Sequence, residues 1–323
     1  MLKRILLSAF LCASSLQAVQ IPAHHSATPH PTIPDPWFTG PLLAPSALTI
    51  PPGHYNIEPY IYITAYGGHY DSHWKRVQAE TFWMNEFQPS LQFGLNDWLD
   101  FQFNPTLIYN YTKGAGKWVI GDMPIGFDIQ LYRTSRLITQ WNIGVKLALR
   151  ETIPLGKYQK LDPKKHLTDV GGEGSWQTGI GIIWGNVFYL GGKHFATWRN
   201  SFQYTFPSPA HVKNLNAFGG GPGTKGTAYP AQNFQVDTAI EITLSQNWAF
   251  AMDMVGTWSG KTHFKGKTRF PMKSPPSAQF SIAPAIEYNW NANIGIIFGS
   301  WFTLSGRNST QFTSGVFAFN YYN

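Results

Sequence analysis

The chain of 323 residues has a single cysteine. That residue, Cys12, falls in a stretch that reads as a leader, so a mature chain would carry no disulfide framework and no thiolate metal site. Charge is scarce as well. Asp, Glu, Lys and Arg make up 13% of the residues, against about 25% in ordinary soluble domains. After the leader there is no apolar run of about 18 residues, so no helix is expected to cross a bilayer. The net charge of +7 is too modest to call for nucleic acid as a partner. Aromatic residues, in contrast, reach 16%. Little charge, many rings and no long apolar run together suit a β-barrel whose strands average one polar and one apolar face.

The opening MLKRILLSAFLCASSLQA has the layout of a secretory signal peptide over residues 1–18. Lys3 and Arg4 form its basic start, Ile5 to Ala13 its apolar stretch, and Ala18 its last residue before cleavage. The alternative is a buried N-terminal helix. Residues 19–53 are rich in proline and carry His24, His25 and His30. They read as an extended periplasmic lead-in, or as a segment that folds into the barrel and plugs it. The three histidines suit a solvated tail better than a metal site, and no metal or cofactor is expected. Residues 54–323 form the barrel.

The stretch LNDWLDFQFNPTLIYNY (95–111) sets the pattern. Leu99, Phe101, Phe103, Pro105, Leu107, Tyr109 and Tyr111 share one face, and Asp100, Gln102, Asn104, Thr106 and Asn110 the other, which is the period of a strand. Similar strands recur to Tyr322, about twelve in all. Short turns at 95–97, 133–136, 191–193, 245–247 and 290–293 alternate with longer segments at 67–81, 113–116, 152–174, 207–232, 260–277 and 305–311. This predicts an all-β fold, a single antiparallel up-and-down transmembrane β-barrel of about 12 strands with both strand termini on one side. Prolines 59, 89, 105, 124 and 284 fall inside strands, where bulges or breaks are expected.

Aromatic residues gather at two levels. Trp98, Tyr132, Trp141, Trp248 and Trp290 lie near the short turns, and Tyr109, Tyr111, Trp176 and Trp258 near the long loops. Two belts around an aliphatic band form an interfacial girdle, so the apolar wall is expected to face lipid and the polar wall the lumen. The first four strands then bring Glu58, Glu86, Asp100, Asp122 and Asp128 inward. The fifth and seventh bring Lys146, Arg150 and Arg199, and the eighth to tenth bring Asp237, Glu241, Asp253 and Glu287. A basic arc between acidic arcs would set a transverse field for a solute. The alternative is that these groups pair and fill the barrel.

Several segments resemble a family of outer-membrane barrel transporters of the phenol-degradation MetA type. FQPSLQFGLNDWLDFQFNPTLIYNY resembles its proline, strand, turn, strand pattern, with Asn96 where the family usually has threonine. VIGDMPIGFDIQLYR, through Gly121, Asp122, Gly126 and Leu131, resembles a further strand of the family, and IAPAIEYNWNANIGIIFGSWFTLSGRNST resembles its penultimate hairpin followed by a Gly-x-Asn loop. The resemblance implies an outer-membrane barrel that passes small hydrophobic or aromatic molecules, and it supplies no catalytic residues.

The expected function is therefore an outer-membrane channel passing small solutes through a charged lumen. One alternative is a non-conducting structural or adhesive barrel that presents basic loops. Lysines such as Lys213, Lys225, Lys265 and Lys267 would place those loops against lipopolysaccharide phosphates. A lipid-modifying enzyme is the other, with His69, Asp71 and His73 as its best candidates. The run GGGPGTKG (219–226) lacks Ser or Thr after its lysine, so it reads as a flexible loop rather than a phosphate loop.

Overall fold

The computed structural model describes residues 36–134, 142–272 and 274–323. The expected signal peptide, the lead-in up to residue 35 and Trp141 lie outside them. Among the described residues, seventeen strands account for nearly all regular structure, with one 3-10 turn at Pro163–Lys165. β1 is Tyr55–Tyr70, β2 Arg76–Asn96, β3 Leu99–Phe103, β4 Leu107–Thr112, β5 Ala115–Ile120 and β6 Met123–Arg133. β7 is Asn142–Ile153, β8 Gln177–Gly191, β9 His194–Pro207, β10 Ala210–Lys213, β11 Lys225–Tyr229 and β12 Asn233–Thr243. β13 is Trp248–Ser259, β14 His263–Lys267, β15 Ser277–Asn289, β16 Ile294–Arg307 and β17 Ser309–Tyr322.

Fourteen of these strands form one antiparallel sheet, which closes because β1 pairs with both β2 and β17. β3 and β4 both pair with β2, and β5 and β6 continue one another on the far side. Each of those two pairs is one crossing interrupted midway, so the barrel has the expected twelve crossings. Closure leaves no free edge, which an isolated sheet of this length would otherwise expose. The remaining three strands form a small separate sheet in the order β10-β11-β14.

Three of the expected longer connections are short instead. Most of 67–81 and 305–311 continues as strand, leaving turns at 71–75 and at Asn308. The chain also turns at Lys113 and Gly114, both at positive φ. The period breaks at Tyr66/Gly68, where a bulge re-aims β1, and that break imitates a loop in the sequence. The true long loops are 154–176, 208–232 and 260–276.

The strand prolines act more economically than bulges. A proline lacks one donor, so it weakens only the neighbour that its nitrogen faces. Pro59 stands opposite Pro89 in unbroken β1–β2 register, and pairing with β17 is interrupted between Ile57 and Tyr60. Pro284 stays paired with Met252 on β13, while the β16 ladder skips from Ile282 to Ala285. Pro105 alone marks a full break, between β3 and β4.

The two walls separate as the alternation demands. Leu107, Tyr111, Phe127, Leu131, Ile240 and Leu244 are exposed, whereas Asp100, Asn110, Asp128, Lys146, Asp237 and Glu241 are buried. An exposed apolar outer wall around a polar interior is the inverse of a soluble domain, and it is the arrangement of an outer-membrane barrel.

Candidate functional site

The barrel interior holds a chain segment. Residues 36–53 enter at the short-turn end, rise to mid-barrel, cross and return to join β1. The barrel wall grips the segment mainly by its backbone. Glu287 Oε2 accepts from Thr39 N–H at 2.8 Å, and Asp253 Oδ1 accepts from Ala44 N–H at 2.9 Å and Leu43 N–H at 3.4 Å. Asp100 Oδ2 accepts from Ile50 N–H at 3.0 Å, and Gln130 Oε1 from Thr49 N–H at 2.8 Å. Gln130 also donates to Ala47 O at 3.1 Å, Asn289 to Trp37 O at 3.3 Å, and Lys146 to Leu48 O at 3.4 Å. The segment is rich in proline and has no strand partner of its own, so wall side chains satisfy the amides that a ladder would otherwise take.

Apolar contact adds to the grip. Leu42 is 1% exposed and packs on Ala251, Ala283, Ala285, Ile297, Val316 and Ala318. Ala47 packs with Ala148 and Ile183. Inward-facing glycines supply the room. A Cβ on Gly94 would stand 1.8 Å from Pro51 O, one on Gly144 2.6 Å from Ala47 O, and one on Gly295 2.4 Å from Thr39 Oγ1.

The charged side chains sort into two groups. Asp128, on β6, takes Lys146 at 2.9 Å and Arg150 at 2.6 Å, both from β7. Asp100 stands opposite Asp128 across the β3–β6 ladder. On the other side Arg199 meets Glu241 at 2.8 Å. Glu287 lies beside Glu241, and Asp253 beside Asp237. One oxygen of each of these four acids has no protein partner. The three cations of the expected basic arc are all paired with carboxylates, and the acids of β12, β13 and β15 keep the surplus. Glu58 and Glu86 are half-buried on β1 and β2.

Asp122 has a different task. It lies in the break between β5 and β6 and accepts from Gly156 N–H at 2.8 Å and Glu173 N–H at 2.9 Å, latching both ends of the 154–176 loop. Asn110 donates to Thr168 O at 3.2 Å and Val170 O at 2.9 Å, drawing that loop inward. Sequence reading missed Asn110, Gln130 and Asn289 as clamps. The available signal was the run of glycines at inward strand positions, where a wall with nothing behind it would carry side chains.

A cavity of about 430 Å³ lies at the short-turn end between the segment and the wall, lined by Trp37, Phe38, Leu48, Tyr189, Phe195 and Arg199 among others. Another, about 670 Å³, lies at the long-loop end and includes Glu173, Gln177, Thr205, Phe218 and Gln279 in its lining.

Of the aromatic residues expected in the girdle, Trp98, Tyr132, Trp248 and Trp290 are exposed at the short-turn end, and Tyr111, Trp176 and Trp258 at the other. Tyr109 is half-buried and packs on Trp118, with ring centroids 5.1 Å apart. His73 sits on an exposed turn with its Nδ1 3.2 Å from Ser72 Oγ, and the Asp71 carboxylate is committed to the His73 and Lys75 backbone amides.

No protein-family model matches the chain, and no curated protein sequence matches it. Among solved structures, it is similar to an outer membrane channel from Pseudomonas putida F1, with a TM-score of 0.66 and 13% identity over 86% of this chain and 98% of that one. At that identity the likeness shows a shared fold. The β domain of a Bordetella autotransporter, BrkA, gives a TM-score of 0.42 with 9% identity over 83% of this chain and 98% of that one. A mutant of the TodX monoaromatic hydrocarbon channel gives 0.39 with 11% identity over 85% and 91%.

Proposed function

We propose that this chain is an outer-membrane channel for small, largely apolar solutes, with residues 36–53 setting what passes. The observation that carries this reading is the grip on that segment. It is held through its backbone and a few small contacts, beside a cavity of about 430 Å³ with an aromatic lining. Concave, mostly apolar sites with a few convergent polar groups favour small ligands of that character. The polar interior does not by itself argue for hydrophilic cargo, because its cations are paired and many of its acceptors are occupied by the segment. The similar fold of the Pseudomonas channel supports a channel role.

The test is uptake into liposomes carrying the refolded mature protein. Entry of a small aromatic solute that outpaces a sugar of similar size is the expected result. A cysteine pair, Leu42→Cys with Ala285→Cys, should slow entry when oxidised and restore it when reduced. Equal entry of both solutes, or indifference to the crosslink, would overturn the reading. Any residual ion current should favour cations, since Asp237, Glu241, Asp253 and Glu287 face one arginine, Arg199.

A further inference from the structure

The small sheet β10-β11-β14 has two unlike faces. Val212 and Ala228 are buried with Met272, and Tyr158, Phe218 and Phe264 pack against them. The opposite face carries His211 and Lys213 from β10, Lys225, Thr227 and Tyr229 from β11, and His263, Lys265 and Lys267 from β14. Its lysines and histidines are all exposed. No carboxylate stands on it.

The register sharpens the point. Lys213 pairs with Lys225, and Lys225 with Lys267, so three ammonium groups line up in one row across three strands. Lys265 stands opposite Thr227 in the same-face row beside them, with its Nζ 5.3 Å from the Tyr229 ring centre. Directly opposed side chains on a sheet are about 5 Å apart at Cβ, and like charges there oppose folding. Five ion pairs are made among the described residues, and none uses these lysines. The buried face fixes the sheet, so the row cannot disperse by turning over.

We infer that this face binds the phosphate groups of the phosphorylated glycolipid in the surrounding outer leaflet. A row of closely spaced lysines suits several phosphates at once, as point charges that do not demand a fixed approach angle. The attachment of the sheet favours the lipid source over a soluble polyanion. β10 follows β9 after two residues, and β11 and β14 join β12 and β13 through three-residue links. Phe206, Phe234 and Trp258, the exposed rings that end those barrel strands, lie within nine residues of the lysines. At about 3.3 Å per residue the row stands no more than about 30 Å from the belt. Headgroup phosphates are concentrated there, and tethering at that surface raises their effective concentration.

The experiment measures binding of the refolded, full mature protein to detergent-dispersed lipopolysaccharide, to the same material after dephosphorylation, and to heparin. The variants are Lys213→Gln/Lys225→Gln/Lys267→Gln, the single Lys225→Gln, and a control at the short-turn end, Arg133→Gln/Lys193→Gln. Barrel integrity is read separately from heat-modifiable migration. The expected result is at least a tenfold loss of lipopolysaccharide affinity in the triple variant, a smaller loss in the single variant and none in the control. Dephosphorylated lipopolysaccharide should bind weakly to every form. Unchanged affinity in a folded triple variant, or equal affinity for dephosphorylated material, would overturn the inference. Tighter binding of heparin than of lipopolysaccharide would also overturn it, in favour of a soluble polyanion.

Discussion

The backbone N–H of Ala44 donates to the carboxylate of Asp253 at 2.9 Å, joining two residues 209 apart in the chain. Leu43 N–H reaches the same oxygen at 3.4 Å. An Asp253→Ala variant would strand both amides in the barrel interior, at a cost of about 1–3 kcal/mol for a lost acceptor. The expected outcome is faster proteolytic cleavage within residues 36–53 and larger single-channel conductance, with the barrel still heat-modifiable. Asp253→Asn keeps a neutral acceptor and should lie between the variant and the wild type. Wild-type cleavage and conductance in Asp253→Ala would show that the segment is held elsewhere.

Asp128 carries two cations, and Lys146 among them is only 3% exposed. Removing one partner of a buried pair leaves an uncompensated charge, typically costing about 3–5 kcal/mol. Asp128→Ala should therefore lower the temperature of the heat-modification transition markedly. Asp128→Asn, which can still accept a hydrogen bond, should lower it less. The double variant Asp128→Leu/Lys146→Met should recover part of the loss, because it removes a buried charge together with its partner. The same transition temperature for Asp128→Ala and wild type would mean that water reaches Lys146 freely.

Strand alternation made the twelve crossings and their two walls legible, because the period of two survives through most of each long strand, the bulge at Tyr66/Gly68 being the place where it misled. Side-chain pairing was not legible. Asp100 and Asp128 stand opposite each other in register, yet Lys146 and Arg150 both go to Asp128. That choice depends on strand stagger and barrel closure, which local sequence does not carry. The seating of residues 36–53 was open for a related reason. Most of its hydrogen bonds to the wall use backbone donors and acceptors, with the Thr39 and Thr49 hydroxyls adding one side-chain bond each, so little in its side chains announces the wall. The complementary mark lies in the barrel strands, at Gly94, Gly144 and Gly295.

Gly94 makes that mark testable. A Cβ there would stand 1.8 Å from Pro51 O and 2.5 Å from Pro51 C, contacts with backbone that no rotamer can relieve. The glycine also donates its N–H to His54 O at 3.0 Å, at the point where the segment joins β1. Gly94→Ala should displace the return limb of the segment and raise conductance, as Asp253→Ala does from the other limb. Combining the two should add less than the sum of their separate effects, since either releases the same element. Full additivity would mean that the two limbs move independently.

The turn at 71–75 gives a prediction that depends on pH. The Lys75 backbone N–H, at 2.9 Å, and that of His73, at 2.7 Å, donate to Asp71 Oδ1. The Lys75 amide first, then the His73 amide and the nearby positive charges, outweigh partial desolvation and hold this carboxyl below its ordinary value of 3.8. The bonded form is the ionised one. Its contribution to the turn is complete above the ordinary aspartate range and is lost as pH falls through the depressed value. Amide exchange at His73 and Lys75 should then keep its protection down to about pH 4 and lose it in stronger acid. Asn308 N–H, which donates to Asp71 O at 3.1 Å, ties the neighbouring β16–β17 turn to the same residue. Its protection should fall over the same range, more weakly, because a carbonyl does not titrate. Asp71→Asn should remove the acid step at both turns while leaving the rest of the barrel's exchange pattern unchanged. An acid step that survives in Asp71→Asn would assign it to another group.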